Sequence, residues 1–526
     1  MFLNHSKRKP MKQAKTNKIF IGGILALGML AGCSKDIDQR SLPAFEPTAT
    51  EANGGNWKTI LLAGPADIII PAPEAAGSAA YQAELTSIAT RQQSITDTDK
   101  RIIEKWKSSG IIRWNEIARQ LVATYNIPPE ANPDGTYPAP NPNNPGAYPK
   151  FPFANPPYAS RAYAYLHVAM YDALVTTWKY KFTHNRMSPA AQGTGIKALE
   201  PIQEGLPSYP SEDAVVAQVG YRLLKVMFPN DTTWLQEQSN EQKMAKQLSG
   251  VASPSDIAAG ELIANQVAEK VLARYRTDGM GQAAGNPNLW DELKQDAMAR
   301  GLTLPWESME TPKRPMMLAM FGNVKQFLIT TAQRDSLRPE PPPAIGSPEF
   351  NEALAEVKRY SNNPSGEVWR IAQLWSDGAA TYTPPGHWNE IACNSIVKNK
   401  FNELRTARTL ALMNMAVFDA GISCWDAKAY YFYPRPSQAD PSIKTIGLPN
   451  FPSYTSGHST FSGAASTVLG YIFPDEKAEF ERMSLEAAES RIYGAIHYRF
   501  DSEAGTRCGN AIGSFAVKKG MADGSN

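Results

Sequence analysis

The pentapeptide Trp114-Asn115-Glu116-Ile117-Ala118 recurs 274 positions later as Trp388-Asn389-Glu390-Ile391-Ala392. Three further groups of residues repeat in the same order, the first at an offset of 247 and the others at 245. Ordered repeats over such a distance indicate a duplicated structural unit, so we predict two homologous halves, about 113–279 and 387–524. The further matches pair Arg161, Asp172, Trp178 and Lys181 with Arg408, Asp419, Trp425 and Lys428; residues 207–211 with 452–456; and Asn265, Asp278 and Gly279 with Asn510, Asp523 and Gly524.

The segments inside each half have the composition of helices. Apolar-rich stretches cover residues 159–178, 406–425 and 459–473, and the sequence has no long alternating β-branched runs. We predict an all-α fold in which two homologous helical bundles lie side by side, with long Pro-rich loops. The Pro-rich insertion at 128–157 is expected to form an ordered surface loop, with disorder as the alternative.

The first 32 residues have the form of an export signal. Six basic residues and no acidic ones precede an apolar run at 19–30, which is too short to span a bilayer. The run ends in Leu30-Ala31-Gly32-Cys33, which resembles the lipobox of bacterial lipoproteins, although an ordinary signal peptide with a chance cysteine is the alternative. We predict lipidation of Cys33 and export to the bacterial outer membrane, on its periplasmic side or at the cell surface.

Removal of this leader changes the charge of the chain. The full sequence has 53 basic and 51 acidic residues, a net charge of +2, whereas 47 basic residues remain after cleavage and give −4. This balance argues against nucleic acid as a partner. Membrane contact is expected through the lipid anchor alone.

Three cysteines remain beyond Cys33, namely Cys393, Cys424 and Cys508. Their spacing matches no zinc pattern. In an oxidising compartment at most one pair of them can form a disulfide, so at least one buried free thiol is expected.

The duplication provides an internal control for function. Residues shared by both halves are candidates for the scaffold, and charged residues confined to one half are candidates for chemistry. The second half gains histidines, arginines and a glycine and loses an acidic pair, so we assign the chemistry to it and expect the first half to bind no anion. The differences set Arg435 against Ser188, Gly457-His458 against Glu212-Asp213, Arg491 against Lys246 and His497 against Ala252, while Lys428, Ser456 and Asp501 match Lys181, Ser211 and Asp256.

These observations divide the chain into five predicted segments. They are a lipoprotein signal peptide at 1–32, a tether at 33–75, a degenerate N-terminal helical bundle at 76–285, a connecting region at 286–386 and a catalytic helical bundle at 387–526.

The residues gained in the second half suit an oxyanion. Cations, a serine hydroxyl and a glycine N–H at a helix start can bind a tetrahedral or trigonal-bipyramidal anion, and Ser456-Gly457-His458 precedes an apolar run. His497 and Asp501 are four residues apart, which predicts one helix face on which the carboxylate holds the imidazole tautomer. Arg491 and His497 can reach one ligand only if the helix breaks between them, and Gly494 is the predicted break.

These residues form three blocks with fixed internal spacing. Lys428 is followed by Arg435-Pro436, then Ser456-Gly457-His458, and finally Ser490-Arg491 with His497 and Asp501. The pattern resembles the three-part signature shared by vanadium-dependent haloperoxidases and type 2 phosphatidic acid phosphatases, with Thr455 where many members have proline. The two-bundle arrangement is typical of the haloperoxidase branch, and the lipobox indicates a bacterial lipoprotein form.

The resemblance implies a vanadate cofactor whose vanadium is bound by His497. His458 would exchange protons, and Lys428 would polarise the oxygen of hydrogen peroxide that halide attacks to give hypohalous acid. The expected catalytic residues are His458, His497, Lys428 and Asp501, and the expected cofactor-binding residues are Lys428, Arg435, Ser456, Gly457, Arg491 and His497.

Neighbouring residues favour the haloperoxidase branch. Trp425 and Phe451 resemble positions that line the halide side of its pocket, although Trp425 matches Trp178 and a core role is equally consistent. Asp377 is placed like an aspartate that pairs with an active-site arginine. His387 is expected to be a residue of a helix start rather than a ligand. The halide stays open, with iodide or bromide favoured over chloride.

Two other functions fit the same residues. An acid phosphatase acting on phosphomonoesters would need no vanadate, and it would form a phosphohistidine at His497 while His458 protonates the leaving alkoxide. An oxyanion-binding lipoprotein without turnover is the third interpretation. The expected partners are therefore hydrogen peroxide and halide, or a phosphate ester, and the oligomeric state stays open.

Overall fold

The computed structural model describes residues 42, 44–137, 155–192 and 195–525, and all regular secondary structure in these ranges is helical. The prediction of an all-α fold is confirmed. The helices are α1 (Ala79–Gln92), α2 (Asp97–Trp106), α3 (Gly110–Tyr125), α4 (Pro156–His184), α5 (Glu212–Met227), α6 (Thr232–Leu248), α7 (Pro254–Arg276), α8 (Pro287–Ala299), α9 (Thr331–Ser336), α10 (Pro348–Asn362), α11 (Gly366–Leu374), α12 (Thr383–Lys398), α13 (Glu403–Tyr431), α14 (Pro436–Ala439), α15 (Gly457–Ile472), α16 (Lys477–Tyr493) and α17 (Arg499–Met521).

Two helices of 29 residues, α4 and α13, pack against each other at the centre of the molecule. The side chains of Asn155 and Asn402 cap their N-termini by accepting the backbone N–H three residues further on. Both helices are followed by a residue in the left-handed conformation, Asn185 (φ 51°) and Phe432 (φ 49°). Most of their residues are buried, which explains why their sequences are apolar on every face.

The two halves meet through a buried polar network. Asn115 of α3 donates its Nδ2 to Oδ1 of Asn389 on α12, its predicted counterpart, at 2.7 Å. A ring nitrogen of His167 on α4 lies 3.2 Å from Asn115 Nδ2, and the other lies 3.2 Å from Nδ2 of Asn414 on α13, the predicted counterpart of His167. Contacts between matched residues are expected of two units related by a twofold axis. The duplication itself stays a prediction.

Matched residues also make the same bonds in each half. The buried carboxylate of Asp172 on α4 accepts three consecutive backbone N–H groups from residues 60–62. The buried carboxylate of Asp419 on α13 accepts three from residues 327–329, at 2.7 to 3.3 Å. Each long helix therefore anchors the segment that covers it. The same correspondence holds for the buried ion pairs Arg161–Asp278 and Arg408–Asp523.

The prediction of a tether at 33–75 is wrong for residues 57–70, which pack against the rest of the molecule. Trp57, Leu62, Ile68 and Ile70 are buried in the core, and the carboxylate of Asp172 satisfies the N–H groups of this segment. The connecting region at 286–386 is also more helical than expected, since α8 to α11 lie within it. The described residues after position 41 form one compact unit, so the two halves are not separate domains.

The predictions for the N-terminus and for the cysteines have different outcomes. The signal peptide at 1–32, Cys33 and residues 138–154 of the insertion lie outside the described residues. Cys393, Cys424 and Cys508 are all buried and free, in line with the expected free thiol. In the part of the chain that the structure describes, no helix has the length and apolarity needed to cross a membrane.

Candidate active site

A helix starts where the sequence predicts it, because Ser456 caps the N-terminus of α15. Its Oγ accepts the backbone N–H of Ser459 at 3.4 Å and the Ser459 hydroxyl at 2.9 Å. The first N–H groups of α15, beginning at Gly457, have no acceptor within the helix, and the helix dipole is positive at this end. This helix end therefore forms a wall suited to an anion.

Lys428, in the last turn of α13, holds the segment that leads to this cap. Its ammonium group donates to the carbonyls of Pro452, Ser453 and Thr455 at 2.8, 3.0 and 2.5 Å. Burial lowers the pKa of Lys428 to about 7. The three carbonyl acceptors match the three hydrogens of the protonated group, so Lys428 contributes positive charge when protonated and offers no free donor.

Arg435 is fully buried and is oriented by the backbone. Its Nε donates to the carbonyl of Phe451 at 3.0 Å, and its Nη1 donates to the carbonyl of Ile496 at 2.7 Å and to Nε2 of His497 at 3.0 Å. Its Nη2 is buried without a hydrogen-bond partner. Burial lowers the pKa of Arg435 to about 10, which leaves the side chain charged at neutral pH. An oxyanion would satisfy the free N–H groups on Nη2.

Arg491 approaches the site from α16 and is almost completely buried. Its Nε donates to the hydroxyl of Ser490 at 2.8 Å, and its Nη2 donates to the carbonyl of Ala372 on α11 at 3.0 Å. Burial lowers the pKa of Arg491 to about 10. The connecting region therefore takes part in the site by fixing one of its cations.

Within the described part of the chain, the three cations make no close ion pair with a carboxylate, although the charge of Asp501 acts on Lys428 and Arg435 from a greater distance. Among the residues that the structure describes, none of Lys428, Arg435 and Arg491 has a basic nitrogen within 4.0 Å of an Asp or Glu oxygen. A buried charge without a partner is destabilising by several kcal/mol. An anion that reaches these cations would relieve this cost, so the arrangement favours anion binding.

His497 and Asp501 form a fixed pair. Oδ2 of Asp501 lies 2.8 Å from Nδ1 of His497, and it accepts the Ser453 hydroxyl at 2.5 Å and the Tyr498 N–H at 3.1 Å. Arginine has no acceptor, so the contact from Arg435 makes Nε2 of His497 the acceptor and places the ring proton on Nδ1. Burial and the surrounding cations hold the pKa of His497 well below its ordinary value. Burial raises the pKa of Asp501 to about 6.

The prediction that His497 and Asp501 share a helix face is wrong. His497 lies in the link between α16 and α17, and Asp501 lies in the first turn of α17, where its carboxylate also caps the helix and reaches back to the ring. The helix does break at Gly494, as predicted, but the left-handed residue is Ala495 with φ 59°. Ser453 is a member of the site that the sequence analysis did not assign.

Asp377 links two histidines. Its backbone is left-handed (φ 42°), and its Oδ2 lies 3.1 Å from Nδ1 of His387 and 3.9 Å from Nε2 of His458. The backbone of residues 375–376 holds the His458 ring, whose Nε2 is buried without a hydrogen-bond partner. Burial and the charge of Arg491 hold the pKa of His458 well below its ordinary value, so the ring is neutral and can accept a proton.

The surroundings of Asp377 differ from the expected ones. In the described chain no ion pair joins Asp377 to Arg491, because the carboxylate binds His387 instead. Its charge still acts on Arg491 by opposing the effect of burial on the pKa. His387 lies near the start of α12, as predicted, but it also stacks on Trp375 with ring centroids 4.4 Å apart. Sequence spacing gave no signal for this contact.

Trp425 and Phe451 form an aromatic wall beside the cations, with ring centroids 5.0 Å apart. The Phe451 ring lies 4.9 Å from Nζ of Lys428 and 5.1 Å from Cζ of Arg435, within the range of cation–π attraction. Trp425 is fully buried and donates its Nε1 to the carbonyl of Met317 at 2.9 Å. Trp425 is therefore a core residue that also lies next to the site.

The matching region of the first half carries paired charges. Its buried lysines and arginine each contact a carboxylate within 3 Å, so the cations are already neutralised. This difference supports the expectation that the first half binds no anion, which stays a prediction. The pairs are Lys181–Glu212 and Arg186–Asp256 at 2.6 Å and Lys246–Glu200 at 2.8 Å.

Comparison with known proteins agrees with this geometry. The family model of the PAP2 superfamily matches residues 408–521, a range that includes Lys428, Arg435, His458, Arg491 and His497. The vanadium chloroperoxidase of Curvularia inaequalis is 30% identical over 137 residues, or 20% of this chain and 22% of that protein. Over residues 408–521 the chain belongs to the PAP2 superfamily, and a vanadium haloperoxidase is among its relatives. The match spans about a fifth of the length of the Curvularia enzyme.

Solved structures extend the likeness of this superfamily member to most of the chain. The first bacterial vanadium-dependent iodoperoxidase is 26% identical with a TM-score of 0.55, over 69% of this chain and 91% of that one. A holo-type bacterial vanadium-dependent chloroperoxidase is 14% identical with a TM-score of 0.51, over 74% and 97%. At 14% identity, the likeness to the chloroperoxidase indicates a similar fold and nothing more.

Oxyanion binding should stabilise this superfamily member against heat. The unfolded chain does not bring the three cations together, so vanadate or phosphate should raise the Tm. Arg491→Gln removes one charge-assisted contact and should weaken binding about tenfold or more. The rise in Tm at a fixed anion concentration should therefore shrink in this variant but persist in Arg507→Gln, where the residue is exposed. Scanning fluorimetry measures the shift, and equal shifts in both variants would contradict the site.

Proposed function

We propose that the chain is a vanadate-dependent haloperoxidase that oxidises iodide or bromide with hydrogen peroxide. The observation that carries this proposal is a group of three buried cations, none of them in a close ion pair with a carboxylate of the described residues, next to a neutral histidine held by Asp501. The superfamily membership and the likeness to an iodoperoxidase at 26% identity support the same conclusion.

The residues fit vanadate by their chemistry. Nη2 of Arg435 and Nε2 of His458 are buried polar atoms without partners, and the start of α15 offers N–H groups to an anion. Arg435, Ser456, Gly457 and Arg491 would hold the oxyanion, with Nε2 of His497 as the vanadium ligand, and Lys428 would act through its charge because its donors bind backbone carbonyls. When bound, vanadate supplies Lewis-acid activation of hydrogen peroxide toward attack by halide.

The histidine ligand is prepared by its neighbours. Asp501 and the Ser453 hydroxyl lie on the Nδ1 side of His497, which leaves the lone pair of Nε2 for bonding. Arg435 donates to this lone pair in the present structure, so its Nη1 must turn toward the oxyanion when Nε2 binds. Removing Asp501 would free the ring to rotate and change its tautomer.

Proton transfer is the proposed role of His458. In the reaction, halide gives two electrons to the O–O bond of hydrogen peroxide, one proton is consumed, and hypohalous acid and water form. The neutral Nε2 of His458 is buried and unpartnered, so it can take up a proton and deliver it to the departing oxygen. Asp377, 3.9 Å away, would stabilise the protonated ring.

The aromatic wall suits a large, polarisable halide. Phe451 and Trp425 present apolar surface next to the charges of Lys428 and Arg435, so an anion that sheds its water easily can approach. Iodide and bromide meet this condition better than chloride, and they are also easier to oxidise. The relative with a solved structure at 26% identity is named an iodoperoxidase.

Activity assays separate the three interpretations of the site. After incubation with vanadate, the chain should oxidise iodide and bromide with peroxide, and chloride more slowly. His458→Ala should lower this rate about 10²- to 10⁴-fold, the range of a lost general acid or base, whereas His184→Ala outside the site should not. Hydrolysis of p-nitrophenyl phosphate without vanadate, and no halide oxidation, would indicate the phosphatase. Bound vanadate with neither activity would indicate the binding protein.

We also propose that the protein is an exported lipoprotein held at the outer membrane by lipid on Cys33. The basic segment, the short apolar run and the cysteine at its end support this. In a bacterial host, Cys33→Ser should no longer incorporate labelled fatty acid, because serine has no thiol to acylate, and it should accumulate as the uncleaved precursor. Ser34→Ala serves as the matched control. Equal labelling of the Cys33→Ser variant would contradict lipidation.

A further inference from the structure

A cavity of about 140 Å³ lies in the first half, beside the N-terminus of α5. It is lined by residues that the sequence matches to the oxyanion site, including Ser188 opposite Arg435, Lys246 opposite Arg491, and Glu212-Asp213 opposite Gly457-His458. The superfamily site described above makes no use of this cavity. Its chemistry is therefore a separate question.

The charge of the cavity wall is negative. Five carboxylate side chains line it against two lysines. Lys246 contacts Glu200 at 2.8 Å and Asp213 at 3.5 Å, and Glu212 is paired at 2.6 Å with Lys181 behind the wall. The acidic lining residues are Glu46, Glu200, Glu212, Asp213 and Glu403, and the basic ones are Lys107 and Lys246.

One carboxylate of the wall is already fully used. Glu403 accepts the N–H groups of Gly110 and Ile111 at 2.9 and 3.3 Å and so caps the N-terminus of α3. Its role is therefore structural.

Two polar atoms of the wall are buried and unpartnered. The side chain of Glu200 is 4% exposed, and its Oε1 contacts Lys246 while its Oε2 has no partner. Ser188 is also 4% exposed, and its hydroxyl oxygen has no partner. A buried carboxylate oxygen without a donor is unfavourable, and native structures satisfy almost all such groups. Both atoms belong to residues that line the cavity, so a rotation of either side chain would present its unpartnered oxygen to a ligand that carries hydrogen-bond donors.

We propose that this cavity binds a small organic cation through a primary ammonium group. Such a group carries three donors and one positive charge, which suit Oε2 of Glu200 and the hydroxyl of Ser188. Trp178 and Phe401 also line the cavity and offer apolar surface to a short alkyl chain.

Other ligand classes fit less well. An anion would meet the carboxylates that line the wall. In the described residues no group of three or more His, Cys, Asp or Glu side chains is arranged to hold a metal ion. The volume is close to that of an engineered protein cavity of about 150 Å³ that holds benzene, which limits the ligand to a few carbon atoms. The proposal does not depend on haloperoxidase activity.

Calorimetric titration of the full chain with butylamine tests the proposal. At about pH 8 the amine is protonated, and Asp213 and Glu403 are ionised although burial raises their pKa values to about 6 and about 7. Saturable binding with a dissociation constant of about 1 mM or lower is expected. Neutral 1-butanol and anionic butyrate should bind far more weakly.

Two variants localise this binding. Glu200→Gln keeps the shape of the side chain but removes its charge, and it should weaken butylammonium binding about tenfold or more. Ser188→Ala should weaken it less, and it serves as the second variant if Glu200→Gln does not fold. Glu352→Gln, at an exposed position outside the cavity, is the matched control and should bind as the natural chain does.

The titrations of the natural chain and the variants support or overturn the proposal as follows. Selective binding of butylammonium that falls in Glu200→Gln or Ser188→Ala and persists in Glu352→Gln supports the proposal. It is overturned by the absence of saturable binding, by equal binding of 1-butanol, by preferential binding of butyrate, or by variants that bind like the natural chain.

Discussion

The charge balance around the buried cations distinguishes the two halves of this protein. In the second half Lys428, Arg435 and Arg491 are buried without a carboxylate partner among the described residues. In the first half, Lys181, Arg186 and Lys246 occupy the corresponding region, and each contacts a carboxylate. Burial of an unpaired charge is unfavourable by several kcal/mol, so the second half is suited to take an anion from solution, whereas the buried cations of the first half already have carboxylate partners.

The same cations also support the local fold. Lys428 binds three carbonyls of the segment before α15, Arg435 joins the carbonyls of Phe451 and Ile496, and Arg491 holds the end of α11 through Ala372. Backbone acceptors thus hold each cation in place before any ligand binds. This arrangement reduces the reorganisation that anion binding requires. Asp501 and Ser453 hold His497 in the same way.

The sequence was informative where charge and spacing carry the signal. The contrast between Gly457-His458 and Glu212-Asp213 identified the chemical half, and the all-α fold followed from apolar stretches that became the buried helices α4, α13 and α15. Contacts between segments that lie far apart in the sequence could not be predicted from it. The packing of residues 57–70 depends on Asp172, and the contact of His387 with Asp377 depends on how α12 meets the preceding loop. The prediction that His497 and Asp501 share a helix face was wrong because residue spacing alone does not distinguish a helix from a capped turn.

A crystal structure of the chain with vanadate would show whether the buried cations and His497 bind the oxyanion together. We expect one vanadium atom bonded to Nε2 of His497, with Arg435 Nη2 and Arg491 in contact with its oxygens and Arg435 Nη1 turned away from the ring. Vanadate bound in the first half beside Glu212 and Asp213, or bound at the surface with His497 still accepting from Arg435, would contradict it.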